Sequence, residues 1–185
     1  IVEDERGRIF LATRGAGVAV YESGRFTHLG AADGLPSEDV YALLVDSADE
    51  LLVGTADAGI AVCPLSALGD CRSWREANGL PDDGVRVLAE DHEKAIWIGT
   101  EGGLASIARR DIWSYGEAEG LPDAQVYALA ADPAGGLWVG TFHGLAELRL
   151  GPAGEPKVAA YRRAQGLPAD WVWALAAPRA GEVWV

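Results

Sequence analysis

Methionine is absent from this sequence of 185 residues, and cysteine (two), histidine (three) and phenylalanine (three) are scarce. Basic residues are also few: 15 lysines and arginines stand against 28 acidic residues, which leaves a net charge of −13. A surface this acidic repels nucleic-acid phosphates and anionic lipids, so we expect neither nucleic acid nor a membrane surface as a partner. No apolar run is long enough to cross a bilayer, and no segment has the pattern of a signal peptide.

The lack of methionine also bears on the extent of the chain. A translated protein starts at methionine, so a chain that begins at Ile1 and contains no methionine is expected to be a segment of a longer protein. The absence of a targeting signal then carries no information about location. With 49% apolar and 23% charged residues, the chain has the composition of a folded domain.

Short marker sequences recur along the chain. Gly-Leu-Pro begins at Gly34, Gly79, Gly120 and Gly166, with spacings of 45, 41 and 46 residues. Gly-Thr lies 20 residues after each of the first three, and an Asp precedes each Thr by nine residues. Asp4 and Thr13 keep that spacing of nine, which indicates a degenerate repeat before the first complete one. A period in this range predicts a repeat architecture.

Each repeat contains four short strand patterns and no helical periodicity. The first is a continuous apolar run, expected to be buried on both faces, at Val40–Val45, Val85–Ala89, Val126–Ala130 and Val172–Ala176. The repeated Asp opens a tight turn into a second strand, which carries Trp97, Trp138 or Trp184 at its second position. The sequence therefore predicts an all-β fold, a β-propeller of four-stranded antiparallel blades, of which about four are present.

This fold prediction divides the partial propeller of residues 1–185 into repeats. Residues 1–33 form the end of one blade, residues 34–78, 79–119 and 120–165 are complete repeats, and residues 166–185 start a further blade.

The pattern GLPxxxVxAL…D…LWVGTxxGL, best matched from Gly120 to Leu145, resembles the two-component regulator propeller repeat. This resemblance implies a seven-bladed ring in the periplasmic, extracytoplasmic sensor of a bacterial hybrid histidine kinase or of a related receptor with another output domain. It implies a segment without catalysis or cofactor of its own, which senses a small molecule, an oligosaccharide or a periplasmic protein. It also allows a dimer of the parent receptor.

Residues that recur in every blade are expected to be architectural, so a ligand site is sought where the repeats differ. In Gly-Leu-Pro, the glycine permits an unusual backbone angle, the leucine fills space between blades and the proline sets the exit direction. The second-strand tryptophans are expected to be buried between blades. The threonine of Gly-Thr is expected to hydrogen-bond the backbone.

The candidate ligand-binding residues lie at variable positions on one face of the predicted propeller. The second position of the first strand reads Tyr41, Arg86, Tyr127 and Trp173, and the turn after one Gly-Thr contains Phe142 and His143. Aromatic rings there can stack on a sugar, and arginine can hold a carboxylate or sulfate bidentately. Alternatively, the rings pack between blades and Arg86 pairs with Asp82 or Asp83. The acidic residues of the connections are expected to be solvated, and no metal site is predicted.

Two other functions remain open at this level. One is a free-standing propeller that mediates protein–protein binding through its variable hairpins. The other is a propeller enzyme like the streptogramin lyases, for which His143 is the one candidate general base, although no second histidine accompanies it. We predict no catalytic residue.

Cys63 and Cys71 lie eight residues apart, on the two arms of the hairpin between the third and fourth strands of one blade. Cross-strand positions of this kind suit a disulfide, which would indicate an oxidising compartment. The alternative is two free thiols in a cytosolic protein.

Overall fold

The computed structural model describes residues 1–108, 111–151 and 155–185. Within these residues the chain forms four four-stranded sheets and one two-stranded sheet, and in each sheet the strands neighbour one another in sequence order. The first sheet contains β1 (Val2–Glu3), β2 (Ile9–Ala12), β3 (Val18–Glu22) and β4 (Arg25–Leu29), and the second contains β5 (Val40–Val45), β6 (Glu50–Thr55), β7 (Ile60–Pro64) and β8 (Arg72–Trp74). The third sheet contains β9 (Val85–Glu90), β10 (Ile96–Thr100), β11 (Leu104–Ala108) and β12 (Asp111–Tyr115). The fourth sheet contains β13 (Val126–Ala131), β14 (Leu137–Thr141), β15 (Gly144–Leu150) and β16 (Pro156–Tyr161). The fifth sheet contains β17 (Ala176–Arg179) and β18 (Glu182–Trp184).

The repeated aspartates shape the turns between the first two strands of each sheet, as the sequence predicted. Asp46 accepts hydrogen bonds at Oδ1 from the N–H groups of Ala48 (2.9 Å) and Glu50 (2.8 Å). Asp91, Asp132 and Asp4 accept backbone N–H groups in the same way. These turns need an acceptor at one fixed position, because a carboxylate can satisfy backbone donors that no strand partner reaches.

A one-turn 3-10 helix precedes every Gly-Leu-Pro, a feature that the sequence did not predict. These helices are η1 (Ala31–Asp33), η2 (Glu76–Asn78), η3 (Glu117–Glu119) and η4 (Arg163–Gln165). The following glycine ends each helix with a positive φ of 94°, 107°, 106° or 103°, which explains why glycine recurs there. The leucine after it is buried in the first three cases, at Leu35, Leu80 and Leu121.

In the second, third and fourth sheets the second strand, and not the first, is the more deeply buried one. Every residue of β10 and β14 is buried, whereas in β5 and β13 buried and half-buried residues alternate at first and the last three are half-buried. The prediction that the first strand is buried on both faces is therefore wrong. One face of that strand packs on the blade and the other is only partly covered.

The glycine of Gly-Thr allows a close approach to the valine that begins the next repeat's apolar run. A Cβ at Gly54 would lie 2.6 Å from Val85 Cγ1, and a Cβ at Gly140 would lie 2.5 Å from Val172 Cγ1. Both distances are far below van der Waals contact, so only glycine fits without displacing the valine.

The chain divides into two compact units, Ile1–Leu88 and Ala89–Val185. The core of the first unit combines Phe10 and Val18 of the first sheet with Leu51 and Val53 of the second, and Leu35 belongs to it. In the second unit Trp138 packs with Leu145, Val172 and neighbours that include Tyr161 and Val183.

Two predictions for the last repeat are wrong. The run Val172–Ala176 is not a strand, since β17 begins only at Ala176. In this segment the N–H of Val172 donates to the carbonyl of Thr141 in the preceding repeat, and Val172 packs with Trp138 and Leu145. Trp184 is 63% exposed because its sheet has two strands here, whereas Trp97 and Trp138 are buried as expected. In the described part of the chain, no helix is long and apolar enough to cross a membrane.

Candidate functional site

The turn after a repeated threonine is held by its own hydrogen bonds, and at Thr13 and Thr141 it is also bonded to the start of the next repeat's apolar run. Each threonine hydroxyl donates to a backbone carbonyl within its own turn, from Thr13 to Gly17, Thr55 to Gly59, Thr100 to Gly103 and Thr141 to Gly144, at 2.7–2.8 Å. This confirms the backbone role predicted for the threonine. The carbonyl of Thr13 accepts the N–H of Val40 (3.0 Å), and the carbonyl of Thr141 accepts that of Val172 (3.1 Å). These bonds place the residue after the threonine beside the second residue of the next repeat's apolar run, as Arg14 lies beside Tyr41.

In the first unit this arrangement brings together Arg14, Tyr41 and Arg86, which we call the arginine–tyrosine cluster. Arg14 Nη2 donates to the Tyr41 hydroxyl at 2.7 Å, and the Arg14 guanidinium carbon lies 5.6 Å from the centre of the ring. The guanidinium carbon of Arg86 lies 4.5 Å from the same centre, within cation–π distance. The hydrogen bond from Arg14, together with that from Arg86, lowers the pKa of the Tyr41 hydroxyl.

The acids that the sequence offered as alternative partners of Arg86 bind the backbone. Asp82 Oδ1 accepts the N–H of Gly84 (2.6 Å), and Asp83 Oδ1 accepts the N–H of Glu76 at the start of η2 (2.8 Å). Both carboxylates therefore have a local structural role in the connection.

In the second unit the corresponding positions form an aromatic cluster, which consists of Tyr127, Phe142, Trp171 and Trp173. Tyr127 and Trp173 have ring centres 4.8 Å apart, and Phe142 stacks on Trp171 at 5.1 Å with an interplanar angle of 20°. Trp171 and Trp173 meet edge to face at 6.4 Å. Both tryptophans remain more than half exposed, at 56% and 60%, so the cluster presents wide aromatic faces to solvent.

His143 lies at the edge of this cluster and is paired with an acid. Its ring meets that of Phe142 edge to face at 4.8 Å, and its Nδ1 hydrogen-bonds Asp123 Oδ2. Arg162 donates to the carbonyl oxygens of His143 (3.3 Å) and Pro122 (2.9 Å) and so supports the turn. An open cavity of about 400 Å³ is lined by Asp123, His143 and Arg162 with Glu117, Pro122 and Asp170.

The third repeat can form this pair because it has a histidine two residues after its threonine, where the second repeat has Gly102, and an acid at Asp123. In the other repeats the residue four after the glycine of Gly-Leu-Pro is Glu38, Asp83 or Asp170, and each accepts the first N–H of the preceding 3-10 helix. The third repeat has Ala124 at that place and its acid one residue earlier. Asp123 therefore serves the connection with Oδ1, which accepts the N–H of Gln125 at 2.8 Å, and His143 with Oδ2.

Five of the six candidate ligand-binding residues belong to one of the two clusters, and His143 lies at the edge of the second. Tyr41 and Arg86 meet in the first unit, whereas Tyr127, Trp173, Phe142 and His143 meet in the second. Sequence reasoning missed Arg14 and Trp171. Arg14 follows Thr13 as Phe142 follows Thr141, so the alignment of the degenerate first repeat contained the signal for it.

Cys63 and Cys71 are bonded to each other in the structure. Cys63 lies in β7 and is fully buried in the core of the first unit, and Cys71 directly precedes β8. Among the described residues, no group of three or more His, Cys, Asp or Glu side chains is arranged to hold a metal ion.

Comparison with known proteins identifies the repeats. Residues 79–102 and 120–143 match the model of the two component regulator propeller family. No curated protein is similar enough in sequence to count as a relative. The extracellular domain of a protein assigned to the hybrid two component systems of B. thetaiotaomicron has a TM-score of 0.79 and 18% identity, covering 97% of this chain and 24% of that one.

Other solved structures share the fold with different named functions. Virginiamycin B lyase from Staphylococcus aureus has a TM-score of 0.71 and 16% identity, over 95% of this chain and 58% of the lyase. PorZ, a surface component of the type-IX secretion system of Porphyromonas gingivalis, has a TM-score of 0.68 and 15% identity, over 94% of this chain and 29% of PorZ. Identities this low show the fold alone, which is that of β-propeller blades. The chain spans about a quarter of the B. thetaiotaomicron extracellular domain.

Proposed function

Because this chain carries two component regulator propeller repeats, we propose that it is the non-catalytic, ligand-sensing propeller module of a bacterial receptor of the two-component histidine kinase type. The module lies in the periplasm and binds a small molecule or oligosaccharide at the aromatic cluster of the second unit. Binding changes the geometry of the module, and the receptor passes this change to its output domain.

One observation carries the proposal, the meeting of four aromatic rings in the aromatic cluster. Trp171 and Trp173 pack edge to face as one contiguous exposed aromatic surface, and contiguous exposed apolar surfaces mark binding sites. Trp171 and Trp173 present ring faces that suit the apolar face of a sugar ring, and Asp123 and His143 at the edge can bind its hydroxyl groups.

The periplasmic location has separate support. The structure joins Cys63 and Cys71 in a disulfide, and such bonds persist in oxidising compartments. The similar structures from B. thetaiotaomicron are extracellular domains.

The test is calorimetric titration of the full-length protein with neutral disaccharides, cellobiose and maltose, before and after Trp173→Ala. We expect affinity for whichever sugar binds to fall at least about fivefold, since losing a stacked aromatic ring and its buried area costs at least about 1 kcal/mol. Trp113→Ala is the matched control, because Trp113 is 61% exposed but lies on the outer strand β12. Equal affinities of wild type and Trp173→Ala for a bound sugar would remove the aromatic cluster as the site.

The Asp123–His143 pair favours a second candidate, proton abstraction by His143. An acid on Nδ1 fixes the tautomer and leaves Nε2 as the base, beside an aromatic surface that could hold a substrate. A histidine-to-alanine variant of the structurally similar virginiamycin B lyase is catalytically inactive and was crystallised with quinupristin. Incubation of this protein with quinupristin tests the candidate: turnover that disappears in His143→Ala supports it, and an absence of turnover eliminates a lyase of that specificity.

A further inference from the structure

We infer that the arginine–tyrosine cluster of Arg14, Tyr41 and Arg86 is an anion-binding site for a carboxylate or sulfate group. The inference concerns the first unit alone, and it holds whether or not the aromatic cluster of the second unit binds a sugar.

The first argument is the local charge. In a chain of net charge −13, two guanidinium groups converge on one tyrosine ring, with their carbons 5.6 Å and 4.5 Å from its centre. The charge of Arg86 opposes the charge of Arg14 and acts to lower the pKa of its guanidinium, and a bound anion would offset this repulsion. Asp39 attracts Arg14 through space, but among the described residues Arg14 forms no ion pair. The lowered pKa of Tyr41 reports the same positive potential, because the site already favours a negative charge on the phenol oxygen.

The second argument is the number of unused donors. Arg14 is exposed, and its hydrogen bond to Tyr41 is the single one that it makes to a described residue. A guanidinium has five N–H groups, so four remain for a ligand. Their planar arrangement fits two oxygens of a carboxylate or sulfate, which is the strongest hydrogen-bonding geometry available to a side chain.

The third argument is that both arginines are held in place before any ligand arrives. Arg14 belongs to the turn after Thr13, where the N–H groups of Gly15 (3.0 Å) and Gly17 (2.8 Å) donate to the carbonyl of Glu38. Its side chain is fixed on the Tyr41 hydroxyl, and that of Arg86 rests on the Tyr41 ring. Ordering a long side chain costs conformational entropy, and here much of that cost is met by folding.

The fourth argument is that the fold does not require charge at these positions. The residues that follow the other three threonines are Ala56, Glu101 and Phe142, and Trp173 occupies the place equivalent to Tyr41 and Arg86. A blade therefore accepts a methyl group, an acid or an aromatic ring where Arg14 stands. The pair of arginines is a local property of the first unit and not a feature of the repeat.

The test is calorimetric titration of the full-length protein with sodium sulfate, sodium glucuronate and glucose at constant ionic strength. We expect both anions, or the one whose shape fits, to bind and glucose to give no signal at this cluster. Arg14→Gln and Arg86→Gln should each weaken anion binding at least about tenfold, because a hydrogen bond to a charged group contributes about 1.5–3 kcal/mol. Sulfate and glucuronate separate the two anion chemistries, and glucose reports sugar binding elsewhere.

Arg72→Gln is the matched control. Arg72 also stacks on an aromatic ring, that of Trp74 at 5.4 Å. No second arginine of the described residues shares that ring, and the charge of Arg72 is paired with Glu50 at 2.7 Å. Its loss changes the net charge equally and should leave anion affinity unchanged. An equal effect of Arg72→Gln, or no binding of either anion by the wild type, overturns the inference. If Arg86→Gln fails to fold, Arg14→Gln decides the question, since Arg14 is exposed.

Discussion

The repeated threonine allows one hydrogen bond to be compared at equivalent positions. Thr55 and Thr141 are both fully buried, and each hydroxyl donates to a glycine carbonyl, at 2.7 Å and 2.8 Å. Only Thr55 also accepts a bond, from the N–H of Ala58 at 3.1 Å, and Ala58 is buried. Substitution by valine preserves shape and removes the hydroxyl, so Thr141→Val should cost about 1 kcal/mol. Thr55→Val should cost about 2–4 kcal/mol, because it also leaves a buried N–H group without a partner.

The assay is urea unfolding followed by tryptophan fluorescence and by circular dichroism. If the two signals coincide, one free energy of unfolding describes each variant; if they separate, the variants are compared on the transition of their own unit. Thr13→Val is a second control within the first unit, since Thr13 donates to Gly17 at 2.8 Å and accepts no bond from a described residue. Equal losses for Thr55→Val and Thr141→Val would refute the reasoning that the stranded N–H group sets the difference.

Three further predictions concern stability. Gly140→Ala should destabilise the protein by about 1–3 kcal/mol through its clash with Val172, and adding Val172→Ala should recover part of that loss in a double-mutant cycle. The disulfide closes a short loop, so replacing Cys63 and Cys71 by alanine should lower the free energy of unfolding by about 2.5 kcal/mol, and the wild type should show no free thiol when unfolded without reductant. The backbone N–H of Ala134 lowers the pKa of Asp132 below its ordinary 3.8, so the ionised carboxylate stabilises the fold above that pH, and this contribution disappears as the pH falls through the lowered pKa. Asp132→Asn should therefore lose less stability than the wild type between neutral pH and pH values below about 4. An unchanged dependence of stability on acid pH would contradict this prediction.

Much of the fold follows from local patterns. Gly-Leu-Pro, Gly-Thr and the repeated Asp are read correctly as connection, strand end and turn because each depends on backbone conformation and on hydrogen bonds within a few residues. Full burial was predicted for the first strand of each repeat, whereas in the structure the second strand is the more deeply buried. An apolar run such as Val40–Val45 shows that a segment avoids water, but how far each face is covered depends on which strands lie beside it.

Alignment of the repeats predicted which residues form the candidate site but not the contacts among them. It selected Tyr41, Arg86, Tyr127 and Trp173 as variable positions on one face of the predicted propeller. It did not show that Arg14 bonds Tyr41 or that Trp171 stacks on Phe142, because these partners lie 27 and 29 residues apart in the chain. The acid that pairs with His143 was one of four in the connections, and only the structure shows that it is Asp123 whose Oδ2 meets the imidazole.

The sequence by itself determined the period, the strand content, the turn chemistry and the family of the repeats, because these properties are written in residues close to one another. The tertiary structure alone decided which side chains meet across successive blades, as at the arginine–tyrosine cluster and the aromatic cluster. Such contacts depend on the hydrogen bonds from Val40 to Thr13 and from Val172 to Thr141, which join one repeat to the next. A variable residue gains its chemistry from the neighbour that this junction supplies, and no spacing within one repeat records that neighbour.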